Sequence, residues 1–195
     1  MTPVAGLVLA AGEGRRFGAP KALVEVDGER LVDRAVRVLR EAGCDPVYVV
    51  AGAVALDVPG ATVVTNDDWR SGMASSLRTG LATLPGTVDA AVISLVDQPG
   101  IGAEAVRRVV EELHNETSAV VATYGGVPRH PVALARSVWA EVAQQATGDE
   151  GARSWLRQHP DAVTHVECSD VADATDVDTP EDLAVTRRVS GPRSP

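Results

Sequence analysis

No apolar run in the 195 residues reaches the roughly 18 needed to span a bilayer, so a membrane-spanning chain is not expected. Aromatic residues make up only 3%, and cysteine is confined to Cys44 and Cys168, far apart and without a CxxC pair. That spacing argues against a zinc ribbon or a dithiol redox motif and fits unpaired thiols, hence a cytoplasmic protein. Basic residues are in the minority: 18 Lys+Arg against 27 Asp+Glu leave a net charge of −9. Such a charge repels phosphate backbones and anionic lipid at long range. Neither nucleic acid nor a membrane surface is therefore expected as a partner. The apolar start from Val4 to Ala11 has no basic segment before it and runs straight into Gly12, Gly14, Arg15 and Arg16. It reads as a first strand, not as a signal peptide.

Lysine is the scarcest of the charged residues: Lys21 is the only one, at the end of a glycine-rich segment, among 17 arginines. The Arg-, Ala- and Val-rich composition looks like a coding bias that replaces Lys wherever Arg will do. Lys21 is then a place where a compact ammonium is needed, because a planar guanidinium fits poorly into a phosphate cage. The alternative is survival by chance.

What is present is ordinary for a globular chain: 45% apolar and 23% charged residues. The length predicts one domain over residues 1–189, with 190–195 as a frayed tail. Val4 to Ala10 is a continuous apolar run, as in a buried parallel strand. After the loop Ala11 to Pro20 and an extended piece around Ala22 to Val26, Leu31, Val32, Ala35, Val36, Val38 and Leu39 recur at helical spacing up to Gly43. Strands at Val47–Val50, Ala61–Thr65, Ala90–Val96 and Ala119–Thr123 alternate with helices at Gly72–Leu84 and Ala103–His114. This alternation predicts a three-layer α/β fold, a mostly parallel sheet with helices on both faces, Rossmann-like in outline. Beyond Gly125 the rhythm changes to a loop or hairpin, a short extended piece Val132–Ala135, a helix Ser137–Ala146, a short helix after Gly151 and a strand Val163–Cys168. Thr179-Pro180-Glu181-Asp182 then opens a last helix, with Thr179 as its cap.

The segment Leu9-Ala10-Ala11-Gly12-Glu13-Gly14-Arg15-Arg16-Phe17-Gly18-Ala19-Pro20-Lys21 is the first candidate for chemistry. Glycines there let backbone N–H groups turn toward an anion, while Arg16 and Lys21 supply countercharge. It is not a Walker loop, since Gly18 is followed by Ala19-Pro20-Lys21-Ala22. Nor does it fit the dinucleotide fingerprint, which places Gly where this chain has Phe17 and opens a helix within the loop. An oxidoreductase using a nicotinamide or flavin cofactor is thus the weaker reading, and a merely flexible loop is the bland one.

Leu9 to Gly12 with Arg16, Gly18, Pro20 and Lys21 resemble the signature loop of the MobA-like nucleotidyltransferases. Its Ala-Ala-Gly form is similar to that of molybdenum cofactor cytidylyltransferases, where the guanylyltransferase branch has Ala-Gly-Gly or Gly-Gly. The resemblance continues through Asn66 with Trp69, Gly72, Met73, Ser75, Ser76, Leu77 and Gly80; Asp97-Gln98-Pro99; His130-Pro131-Val132; Gly148-Asp149 with Gly151-Ala152-Arg153; and Asp176-Val177-Asp178-Thr179-Pro180-Glu181-Asp182-Leu183. These five motifs, in order after the loop, carry the resemblance to residue 183 and make it specific. It implies a nucleotide-diphospho-sugar-transferase-like fold and a Mg²⁺-dependent transfer from CTP, or another NTP, to a molybdopterin-type phosphorylated acceptor. The product would pass to a molybdoenzyme or its chaperone. A cofactor-binding chaperone without catalysis is a further alternative.

On this reading Leu9, Ala10, Ala11, Gly12, Gly14, Arg16 and Lys21 hold the triphosphate, and Arg16, Lys21 and Asp97 carry the catalysis. Asp97 follows the fourth strand at the carboxyl edge where open α/β sheets bind ligands. A carboxylate there suits Mg²⁺, which takes one or two carboxylates plus phosphate oxygens. Asp176 and Asp178 offer a second metal-facing carboxylate, their bland reading being helix capping. Ser75 and Ser76 lie in the first turns of a helix, where hydroxyls could read a nucleobase edge together with Asn66. The resemblance implies acceptor contacts for Gln98, His130, Asp149 and Arg153, a guanidinium being suited to a terminal phosphate. Arg129 stands where the family usually has Gly, adding bulk and charge beside the acceptor.

Overall fold

The computed structural model describes residues 3–114 and 116–183. The expected tail 190–195, and any continuation of the last helix, lie outside them. Strand β1 (Val4–Leu9) is buried along its whole length, as a strand covered on both faces must be. A 3₁₀ turn at Lys21–Leu23 and a small hairpin, β2 (Glu25–Val26) with β3 (Glu29–Arg30), take the place of the simple extended piece expected there. Then come α1 (Leu31–Glu41), β4 (Val47–Ala51), β5 (Thr62–Thr65), α2 (Met73–Thr83), β6 (Ala90–Leu95) and α3 (Ala103–Glu111). β7 (Ala119–Tyr124), β8 (Val127–Ala135), α4 (Trp139–Gln145), α5 (Arg153–Gln158) and β9 (Val163–Glu167) follow.

The sheet has seven strands in the order β5-β4-β1-β6-β8-β7-β9, and only β8 runs against the others. Its face toward α1 and α3 buries Val8, Val36, Leu39, Val92 and Val106; the opposite face, toward α2, α4 and α5, buries Leu7, Leu77, Leu134 and Trp155. Truncating such a side chain to Ala costs about 2–5 kcal/mol. The neighbours of β1 are β4 and β6, so the connections leave it in opposite directions and open a crevice at its carboxyl end.

The piece expected as a short extended Val132–Ala135 is the end of a nine-residue strand. Pro128 and Pro131 conceal it in the sequence, since proline argues against a sheet interior. The structure accommodates them at the hairpin end: Gly125 and Gly126, at φ +59° and +78°, make the turn. The pairing then skips from Arg129 opposite Ala122 to Val132 opposite Val121, leaving His130 and Pro131 in a bulge.

Cys44 and Cys168 are free and buried. Burial pushes the Cys44 thiol up to about 12 and raises that of Cys168 as well, so both behave as small core residues.

Candidate active site

The loop after β1 is held by its glycines. Gly14, at φ +66°, accepts a hydrogen bond from the Gly18 amide at 2.8 Å, and a Cβ on it would stand 1.9 Å from the Ala19 carbonyl oxygen. The turn delivers Lys21 to the crevice, where its Nζ donates to Asp97 Oδ2 at 3.0 Å and to Asp178 Oδ1 at 2.6 Å. Arg16 Nη1 donates to the other oxygen of Asp178 at 3.0 Å. Asp97 lies just beyond β6; its carbonyl accepts from the Val177 amide at 2.7 Å, which pins the 176–178 segment beside it. Asp178 is steadied from behind by the helix start: the Asp182 carboxylate accepts from the amides of Asp178 and Thr179 at 3.0 and 2.7 Å, and Thr179 Oγ1 accepts from the Asp182 amide at 3.4 Å. That is a capping box with Asp in the usual Glu position.

Electrostatically the two carboxylates differ. Burial pushes Asp97 above the usual carboxylate range, and the Lys21 charge offsets this only in part. The hydrogen bond from Lys21 holds Asp178 below that range. For Lys21, burial alone would lower the ammonium, but the bonds to Asp178 and Asp97 outweigh it and raise it. The other oxygen of Asp97, Oδ1, is buried without a hydrogen-bond partner. A buried anionic oxygen in that condition is costly and fits a cation. No group of three or more His, Cys, Asp or Glu converges among the described residues. The donor set is thus two carboxylates, the number Mg²⁺ takes when phosphate oxygens complete its shell.

These residues border a cavity of about 550 Å³, with Leu9, Ala11, Gly12, Gly14, Arg16, Lys21, Ser76, Asp97, Asp149 and Asp178 among its walls. Asn66 and Ser75 stand behind it. Asn66 Nδ2 donates to Ser75 Oγ and Ser76 Oγ at 2.8 and 3.0 Å, and its Oδ1 accepts from the Asp68 amide at 3.0 Å, so the side chain knits the α2 entrance together. Ala10 is likewise buried, with its amide bound to the Val50 carbonyl. Gln98 and Asp176 face each other at 2.8 Å and do not border the cavity. Of the two aspartates, Asp178 is the one that faces the crevice.

Trp69 and Arg70, absent from the expected site, line the cavity, with the Arg70 guanidinium 4.3 Å from the Trp69 ring centre. The motif around Asn66 was the available signal, since Trp69 and Met73 belong to it. The entrance of α2 is locked by the next expected loop: Ala74 donates its amide to the Gly148 carbonyl at 2.8 Å and Met73 to Asp149 Oδ1 at 3.2 Å. Gly72, at φ +109°, passes so close that a Cβ would stand 2.5 Å from that carbonyl oxygen. His130 and Arg153 border a separate pocket of about 60 Å³ that shares Leu9 and Met73 with the large cavity. Burial of the ring and the nearby Arg153 and Arg129 charges push His130 down to about 4, so it is neutral at pH 7.

Residues 6–163 match the model of the MobA-like NTP transferase domain. The chain belongs to the MobA-like NTP transferase family. Two relatives and a solved structure extend the comparison of this family member. It is 37% identical over 194 residues to the nicotine blue oxidoreductase of Paenarthrobacter nicotinovorans, covering 92% of this chain and 94% of that one. It is 28% identical over 194 residues to the probable molybdenum cofactor guanylyltransferase of Mycobacterium ulcerans, covering 92% and 91%. The Rv0371c protein of Mycobacterium tuberculosis H37Rv, solved in complex with manganese, superposes with a TM-score of 0.76 at 26% identity over 95% of this chain and 98% of that one. Family and fold together identify a nucleotidyltransferase scaffold. No helix among the described residues is long and apolar enough to cross a membrane.

Proposed function

We propose that the chain transfers the nucleoside monophosphate of CTP to a phosphorylated, molybdopterin-type acceptor with Mg²⁺ as the metal. An acceptor phosphate oxygen bonds to the α-phosphorus as the bond to the β-phosphate oxygen breaks and pyrophosphate leaves. The observation that carries this is Lys21, the only lysine in the chain, bridging Asp97 and Asp178 in the wall of a cavity that the glycine loop borders. Loop amides with Arg16 and Lys21 would hold the triphosphate. Asp97, through its unpartnered Oδ1, and Asp178 would hold the metal. When bound, a divalent cation supplies charge neutralisation at the phosphate oxygens. The phosphate nucleophile is already ionised at pH 7, so the chain needs to position it more than to deprotonate it. Ser76 is the hydroxyl best situated to meet the nucleobase, and Asp149 and Arg153 the groups nearest an acceptor. The Ala10-Ala11 pair supports CTP, while the relative named a guanylyltransferase makes GTP the rival donor.

Calorimetric titration with CTP and then GTP, each with Mg²⁺, with Mn²⁺ and with EDTA, tests the proposal. Saturable CTP binding that weakens without metal is expected. A preference for GTP would overturn the base assignment and keep the transferase. If neither binds, a product assay with molybdopterin present decides, and no product there ends the reading.

The oxidoreductase relative supports a second reading, hydride or electron transfer with a nicotinamide or flavin. The dinucleotide arrangement requires a helix opening directly behind the glycine loop. Here a 3₁₀ turn and a hairpin intervene before α1 starts at Leu31. An NADH titration followed by absorbance separates the two readings.

A further inference from the structure

The small pocket beside the large cavity has a composition unlike the rest of the crevice. Leu77, Ile93, Val121 and Val132 form its apolar body, and Arg129 and Arg153 stand exposed on its border. These two arginines are exceptional. Every other arginine among the described residues donates a hydrogen bond, pairs with a carboxylate or lies over a tryptophan ring. The guanidiniums of Arg129 and Arg153 do none of these, in a chain with nine excess negative charges. Glu150, the acid on the same border, is already held by Arg157 at 2.8 Å. The bulge in β8 directly after Arg129 breaks the strand's alternation at this point, as bulges beside sites do to re-aim a side chain.

We propose that this pocket takes an apolar portion of the acceptor together with an anionic phosphate or carboxylate gripped jointly by Arg129 and Arg153. Two guanidinium forks suit a planar or tetrahedral oxyanion. The aliphatic body disfavours a polyol, whose hydroxyls would be desolvated there without partners. A sugar phosphate is therefore the wrong acceptor class, and Arg129 is the specificity-determining residue. At about 60 Å³ the pocket is a subsite of the large cavity and not a ligand site by itself. His130, neutral at pH 7, adds no third charge and leaves the anion to the arginines. The word acceptor rests on the transferase reading; the pocket's ligand class does not.

Calorimetry of the full chain with phenyl phosphate and with glucose 1-phosphate tests this, using wild type, Arg129→Gln, Arg153→Gln and Arg129→Lys. The expected result is phenyl phosphate binding that weakens at least tenfold in each Gln variant and recovers in part in Arg129→Lys. Glucose 1-phosphate is expected to bind at least tenfold more weakly than phenyl phosphate. No binding, or binding indifferent to both Gln variants, overturns the subsite, since Lys21 and Arg16 in the large cavity would then be holding the phosphate. Equal affinity for the two probes overturns the apolar class. A CTP and GTP titration of wild type separates the readings: triphosphate binding with indifferent arginines defeats the subsite alone, and arginine-dependent phenyl phosphate binding without any triphosphate binding or product defeats the transferase alone.

Discussion

At the glycine-loop end of the crevice Lys21 meets Asp97 and Asp178 while Arg16 meets Asp178 again; at the other end the Arg129 and Arg153 guanidiniums meet no carboxylate. In the first group Lys21 and Asp97 are mostly buried, at 16% and 24% side-chain exposure, while Asp178 and Arg16 open to water at 41% and 79%. The second stands on a bulged strand and at the start of a short helix, open to water. Charges arranged in advance need little reorganisation when a reaction develops charge beside them. Hydrated, unpaired guanidiniums are suited instead to being exchanged or re-aimed as ligands change. On the proposed reading, the contrast places the chemistry at the paired end and the choice of acceptor at the unpaired one, a division that lets one fold serve many substrates.

The largest expected effect breaks the paired end. Lys21→Ala should lower turnover at least tenfold, about 1.4 kcal/mol of barrier, with the far-ultraviolet circular dichroism unchanged; near wild-type turnover would remove Lys21 from the mechanism. Gly14→Ala should destabilise by about 1 kcal/mol through its left-handed φ and the Ala19 carbonyl, seen as a lower melting temperature with weakened triphosphate binding. Asp178→Asn should lower turnover by up to about tenfold and raise the metal concentration needed for half-maximal activity, because it takes away one of the two carboxylates proposed to hold the metal while Lys21 retains Asp97. Unchanged turnover with an unchanged metal requirement would remove Asp178 from the metal site.

The smallest effect sharpens the other end. His130 sits at about 4 in the folded chain against 6.5 ordinarily. Between those values the unfolded chain takes a proton that the folded one refuses, so stability falls as the pH drops from 6.5 toward 4 and levels off below. One such proton gives a slope of at most about 1.4 kcal/mol per pH unit. Melting temperatures across this window should depend on pH less steeply in His130→Gln; parallel curves would mean that the ring is not held neutral.

Much of this was legible in the residues themselves. The apolar Val4–Leu9 run, the glycine loop behind it and Asp97 at a strand's end each announce their role within a dozen residues, because periodicity and turn chemistry are local. β8 was legible only at its end, Val132–Ala135, because Pro128 and Pro131 mask the rest of a strand whose pairing partners lie elsewhere in the chain. Asn66 and Ser75 look like base-reading groups in a list of polar residues, yet they spend their hydrogen bonds on the α2 entrance. Asp176 and Asp178 have the same chemistry two residues apart, and only their surroundings separate them: one faces Gln98, the other Lys21.

The sequence by itself determined the α/β alternation, the glycine-rich loop and the singular lysine, for these depend on residue type and short spacing. Only the tertiary structure decided which aspartate faces the crevice, that Asp97 keeps a buried oxygen without a partner, and that two arginines go unpaired beside an apolar pocket. The physical reason is distance along the chain. Lys21 meets Asp97 across 76 positions and Asp178 across 157, and the partners of a side chain so placed are set by how the layers pack.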